Sequence, residues 1–151
     1  MIVYCGEYDM FKNLGHIAIR AKDIEVTTAF YRDILGMKET FRIYNGNGGS
    51  LSTVYLCAAP DQFIEIFPGG TEKHEITGTT IGFSHLCIEV ESAEETFKLL
   101  RANGAPLDTE VKTGLSKCRM VWTHDPDGNR IEFMELTPES LQMQANKRNI
   151  F

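Results

Sequence analysis

GHIAI at residues 15–19 and SHLCI at residues 84–88 each set a histidine second in a strand-like alternation, with His16 and His85 69 residues apart (85 − 16). FIEIF (63–67) and RIEFM (130–134) repeat the device with a central carboxylate, Glu65 and Glu132, which lie 67 apart (132 − 65). Between the members of each half lies a helix signal. Asp23 reads as an N-cap, Val26, Phe30 and Ile34 follow at i, i+4, i+8, and Gly36 ends the run. In the second half Ser92-Ala93-Glu94-Glu95 is a capping box, followed by Phe97, Leu99 and Leu100 until Gly104, with Pro106 blocking continuation. Strands are expected at 38–44 and 51–58 in the first half, joined by the NGNGGS turn (45–50), and at 107–112 and 118–124 in the second, closed by Asp125-Pro126-Asp127-Gly128.

The order β-α-β-β-β therefore occurs twice, which is an internal duplication. It predicts an α+β fold of two tandem βαβββ modules, residues 14–70 and 82–137, whose mixed sheets curve around a concave site. Residues 1–13 read as an N-terminal extension. Thr137-Pro138 suits an N-cap with proline at the first helical position, so 138–151 reads as a helical tail.

Strand parity says where polar side chains point. Ile17 and Ile19, Ile64 and Ile66, Leu86, Ile88 and Val90, and Ile131 and Phe133 form the helix-packed faces. The opposite faces then carry His16, Ala18 and Arg20; Phe63, Glu65 and Phe67; His85, Cys87 and Glu89; and Glu132, Met134 and Leu136. Two imidazoles and two carboxylates of common parity, at equivalent repeat positions, make a mixed N/O site for a divalent first-row metal. A lone strand histidine is more often structural, and a lone glutamate between Phe63 and Phe67 could face water; the coincidence of four favours ligation. Glu135, three residues from Glu132, falls on the other face. His74 lies in a polar loop and reads as solvated surface, and His124 reads as a cap on the Asp-Pro turn.

Composition sets the outer bounds. The 151 residues suit one ordinary domain, and 15 basic against 21 acidic residues give a net charge of −6, which disfavours nucleic acid and anionic membrane surfaces as partners. No apolar run approaches the about 18 residues needed to span a bilayer. The N-terminal MIVYCGEYD has no basic segment or long apolar stretch of a secretory signal. Cys5, Cys57, Cys87 and Cys118 are scattered, with no C-x-x-C, so free packing thiols in a reducing cytoplasm are expected.

GHIAIRAKD, AFYRDILGM, FIEIF, SHLCIEV and DPDGNRIEFMEL together resemble the vicinal oxygen chelate superfamily (glyoxalase, bleomycin resistance protein and dioxygenase) over residues 14–137, most closely its short bacterial glyoxalase I (lactoylglutathione lyase) type. The resemblance implies metal ligands at His16, Glu65, His85 and Glu132, with Glu132 first and Glu65 second as the catalytic base. It implies that Arg20, four residues after the first histidine, contacts the substrate. It implies one divalent ion per site, nickel or zinc first, with cobalt, manganese or iron admissible. It further implies a homodimer in which His16 and Glu65 of one chain meet His85 and Glu132 of the other. The implied reaction isomerises the thiol hemithioacetal of a 2-oxoaldehyde such as methylglyoxal to a 2-hydroxyacyl thioester. Gly69 stands where that enzyme type has a glutathione-contacting asparagine, and loop 111–118 is two residues longer, so the metal site carries over better than the thiol specificity. Alternatives within the superfamily are an epimerase, a thiol transferase, a dioxygenase or a non-catalytic small-molecule-binding protein.

Overall fold

The structure, a computed structural model, describes residues 13–73 and 75–147. Strand β1 (His16–Arg20), helix α1 (Ile24–Ala29) with a π-helical continuation (Phe30–Ile34), β2 (Lys38–Tyr44), β3 (Leu51–Ala59) and β4 (Gln62–Phe67) make the first half. Strand β5 (Leu86–Glu89), α2 (Ala93–Ala102), β6 (Lys112–Thr113), β7 (Arg119–His124) and β8 (Arg130–Glu135) make the second, followed by α3 (Leu141–Lys147). Each half forms one four-stranded mixed sheet, in the orders β1-β4-β3-β2 and β5-β8-β7-β6. The parallel pairs are β1 with β4 and β5 with β8. This is the expected α+β architecture.

Local chemistry places the helices. Asp23 Oδ1 accepts from the Glu25 and Val26 amides at the start of α1, and Ser92 Oγ accepts from the Glu95 amide in α2. Gly36 (φ 78°) and Gly104 (φ 80°) follow the helices in the left-handed region that glycine enters without a Cβ penalty. The helix-facing sides of both sheets and both helices share one core, which includes Tyr31, Leu56, Ile64, Ile66, Phe97 and Ile131. Burying each large apolar side chain there contributes about 1.5–3 kcal/mol.

The expected Val26-Phe30-Ile34 stripe is corrected. Val26 is exposed, and the buried positions are Thr27, Thr28, Phe30 and Tyr31. The second half supplies the reason. Thr27 Oγ1 donates to Asp127 Oδ2 at 2.8 Å and the Tyr31 hydroxyl donates to Asp125 Oδ2 at 3.1 Å, so these polar side chains can be buried. Burial, then the Asp125 charge, pushes the Tyr31 hydroxyl pKa well above its ordinary value. Asp125 also accepts from the amides of Asp127 and Asn129 and from Asn129 Nδ2, and is 1% exposed. Asp125→Ala strands these donors and is expected to cost about 3 kcal/mol or more, against about 1 kcal/mol for Tyr31→Phe. Urea unfolding of the two variants checks the order.

Three further expectations are adjusted. The 107–112 strand reduces to a bridge between Leu107 and Thr123 and the short β6, because Thr109 Oγ1 and the Pro106 carbonyl accept from the Trp122 amide and the Thr123 hydroxyl in place of a regular ladder. Helix α3 starts at Leu141 rather than after Thr137-Pro138; Ser140 Oγ accepts from the Met143 amide and is the side-chain cap. His124 does not cap the Asp-Pro turn, a role that Asp125 takes; its Nδ1 lies 2.8 Å from Asp108 Oδ1. His74, Cys5 and residues 1–12 of the expected extension lie outside the described residues.

Candidate active site

The faces away from the shared core carry the candidate ligands. On the first sheet β1 and β4 run side by side with Ala18 opposite Glu65 and His16 opposite Phe63. His16 Nε2 and Glu65 Oε2 are 3.3 Å apart. On the second sheet Cys87 lies opposite Glu132, and His85, immediately before β5, places its Nε2 3.2 Å from Glu132 Oε2. Glu65 and Glu132 are both buried, at 9% and 7% exposure, although each sits on the face that carries a histidine. Each repeat thus builds one imidazole–carboxylate pair of the same geometry. The chain does not gather the four into one group: among the described residues no cluster of three or more His, Cys, Asp or Glu side chains is placed to hold a metal.

The donor set fits a divalent ion. Two donors on one ion at about 2.1 Å are about 3.0 Å apart at a right angle and about 3.4 Å apart at the tetrahedral angle. The two observed separations of 3.3 and 3.2 Å fall in that interval.

The surroundings of the two pairs differ. Tyr55 on β3 faces Glu65 across the ladder and donates its hydroxyl to Glu65 Oε1 at 2.8 Å, which raises the Tyr55 pKa. Trp122 on β7 faces Glu132 and turns edge-on to His85, the ring centroids 4.8 Å apart, with the Arg130 guanidinium over its indole at 4.5 Å. Cys118, Met120, Trp122 and Met134 form an apolar cluster, and the ladder sets Met120, Trp122 and Met134 on the face of Glu132. Cys87 is exposed on this face rather than packed; desolvation, then the Glu132 charge, pushes its thiol up to about 12. Glu135 does face the other way, where its carboxylate accepts from the Ala93 amide at the start of α2.

Arg20 ends β1, donates Nη1 to the Pro68 carbonyl at 2.8 Å and lies over the Phe67 ring. It borders an open cleft of about 780 Å³ that also takes in Lys22, Lys73, Phe83 and Asp127. A second cavity of about 290 Å³ lies between the sheets beside His16, Phe63, Leu86 and Cys87. Sequence reasoning missed Tyr55 and Trp122. The signal was there: Val54 and Leu56 alternate onto the core side and leave Tyr55 on the site face.

The family model described as the Glyoxalase/Bleomycin resistance protein/Dioxygenase superfamily matches residues 13–133. The chain belongs to this superfamily. Among its relatives is the lactoylglutathione lyase of Escherichia coli, 31% identical over 129 residues, an alignment covering 81% of this chain and 91% of that protein. An uncharacterized Bacillus subtilis protein, YwbC, is 29% identical over 127 residues, which cover 83% of this chain and 99% of YwbC. Among solved structures, a glyoxalase family protein from Enterococcus faecalis aligns with a TM-score of 0.71 and 25% identity, covering 83% of this chain and 98% of that one. Among the described residues no helix is long and apolar enough to cross a membrane.

Proposed function

We propose that this superfamily member is a metal-dependent lyase of the glyoxalase I kind, acting on the hemithioacetal of a 2-oxoaldehyde and a thiol. The observation that carries the reading is the repeated pair: His16 with Glu65 and His85 with Glu132, at equivalent places in two repeats, each with its nitrogen and oxygen at the spacing of two ligands on one ion. The lactoylglutathione lyase relatives support the same reaction class.

His16, Glu65, His85 and Glu132 would hold the ion, nickel or zinc by preference. When bound, such an ion draws charge from two adjacent substrate oxygens and so lowers the barrier to removing a proton from the carbon between carbonyl and sulfur. Glu132 takes that proton as general base and returns it to the former carbonyl carbon. One C–H bond breaks and one forms, and the product is a 2-hydroxyacyl thioester isomeric with the substrate. Arg20, with donors beyond the one given to Pro68, holds an anionic end of the thiol portion.

One chain's first pair facing another chain's second pair brings the four ligands together, which makes the functional unit a two-fold homodimer with two sites. A cytoplasmic location fits the exposed Cys87 thiol.

The test is a screen of methylglyoxal hemithioacetals of several thiols with protein stripped of metal and reloaded with nickel, zinc or cobalt. Thioester formation that disappears with chelator and returns with metal is expected. Absence of turnover with every metal and thiol, in folded protein, rejects the reading.

A further inference from the structure

The two half-sites share a plan but differ one strand away from the ligands. Opposite Glu65 stands a hydroxyl, that of Tyr55; opposite Glu132 stands Trp122, which has none. The Tyr55 hydroxyl occupies Glu65 Oε1 at 2.8 Å, while Glu65 Oε2 faces His16 Nε2 at 3.3 Å. Tyr55 is itself held. A register shift between Glu39 and Phe41 brings Phe41 opposite Tyr55, and the two rings stack with centroids 4.5 Å and planes 22° apart. Phe63 and His16 close on the same ring edge-on, at 6.3 and 6.0 Å. A carboxylate with one oxygen tethered to a fixed donor has little freedom left for the other.

We propose that Tyr55 is a positioning residue: its hydroxyl ties one oxygen of Glu65 and thereby aims the other, beside His16, at the ion the two side chains share. This rests on the metal reading above. The second pair has Trp122 in the place of that tyrosine, packed with Met120 and Met134. Partners that orient a ligand from behind alter metal affinity by about 10–100-fold when removed.

Tyr55→Phe removes the hydroxyl and keeps the stacked ring; Phe41→Leu removes the stacking partner and keeps the hydroxyl. The probe is Co²⁺ added to metal-stripped protein, read by chelator competition and by the visible absorption of the bound ion. Tyr55→Phe is expected to raise the Co²⁺ Kd at least about tenfold and to change the spectrum, with a thermal unfolding midpoint no lower than that of Phe41→Leu. Phe41→Leu loosens the ring but keeps the hydroxyl, so it is expected to raise the Kd by less than Tyr55→Phe does. Equal Co²⁺ affinity and spectrum in wild type and Tyr55→Phe overturns the role of Tyr55 and leaves the metal reading standing. An equal loss in Phe41→Leu, or a Tyr55→Phe midpoint that falls below that of Phe41→Leu, also overturns it, by making packing the cause. Wild-type protein that binds no Co²⁺ overturns both.

Discussion

Glu132→Gln is expected to lower kcat by about two to four orders of magnitude, the usual worth of a positioned general base. The amide matches the carboxylate in shape, so the buried position opposite Trp122 remains filled and the fold survives. What it loses is the ability to take a proton. Because Glu132 is also a proposed ligand, the measurement pairs steady-state rates with metal content: a variant that holds its ion and does not turn over identifies the base. Glu65→Gln in parallel is expected to lose metal first, since its carboxylate is tethered by Tyr55. A Glu132→Gln enzyme that keeps its ion and stays within tenfold of wild type moves the base to Glu65.

The largest gain, as opposed to loss, is expected on mixing two dead proteins. His16→Ala chains lack a ligand in the first half-site and Glu132→Ala chains lack one in the second. In a shared-site dimer each mixed pair gathers both lesions in one site and leaves the other intact. Subunit exchange at equal concentration then restores about a quarter of wild-type activity, since half the dimers are mixed and one site in two is whole. Exchange shown by a tagged chain without recovered activity means that one chain completes its own site. Sedimentation as monomer alone rejects the dimer sooner.

The alternation of Ile17, Ile19, Ile64 and Ile66 was enough to read the strands and to predict which side chains share a face with His16 and Glu65. Period-two parity is a local property, and it needs no knowledge of the partner strand. The helix was harder. Two threonines and a tyrosine at 27, 28 and 31 look like a poor core face, because the acceptors for Thr27 and Tyr31 come from a turn 100 and 94 residues away. The 107–112 segment failed for a related reason: side-chain hydrogen bonds with β7, which local composition does not show, stand in place of a regular ladder. For the candidate site, parity could place Tyr55 on the ligand face but could not give the β3–β4 register that sets it opposite Glu65 across the Asp61 turn (φ 60°).

The Asp125–Asn129 turn also has a meaning during synthesis. At about 5–20 residues per second, the ribosome takes several seconds to deliver Asp125 after Tyr31. Through that interval the Tyr31 and Thr27 hydroxyls have no carboxylate to meet. The turn that joins β7 to β8 in the second sheet therefore also supplies the acceptors for buried hydroxyls of the first half. A chain cut before residue 125 lacks both acceptors, and one that runs past residue 127 seals the first helix with carboxylates supplied from the other half.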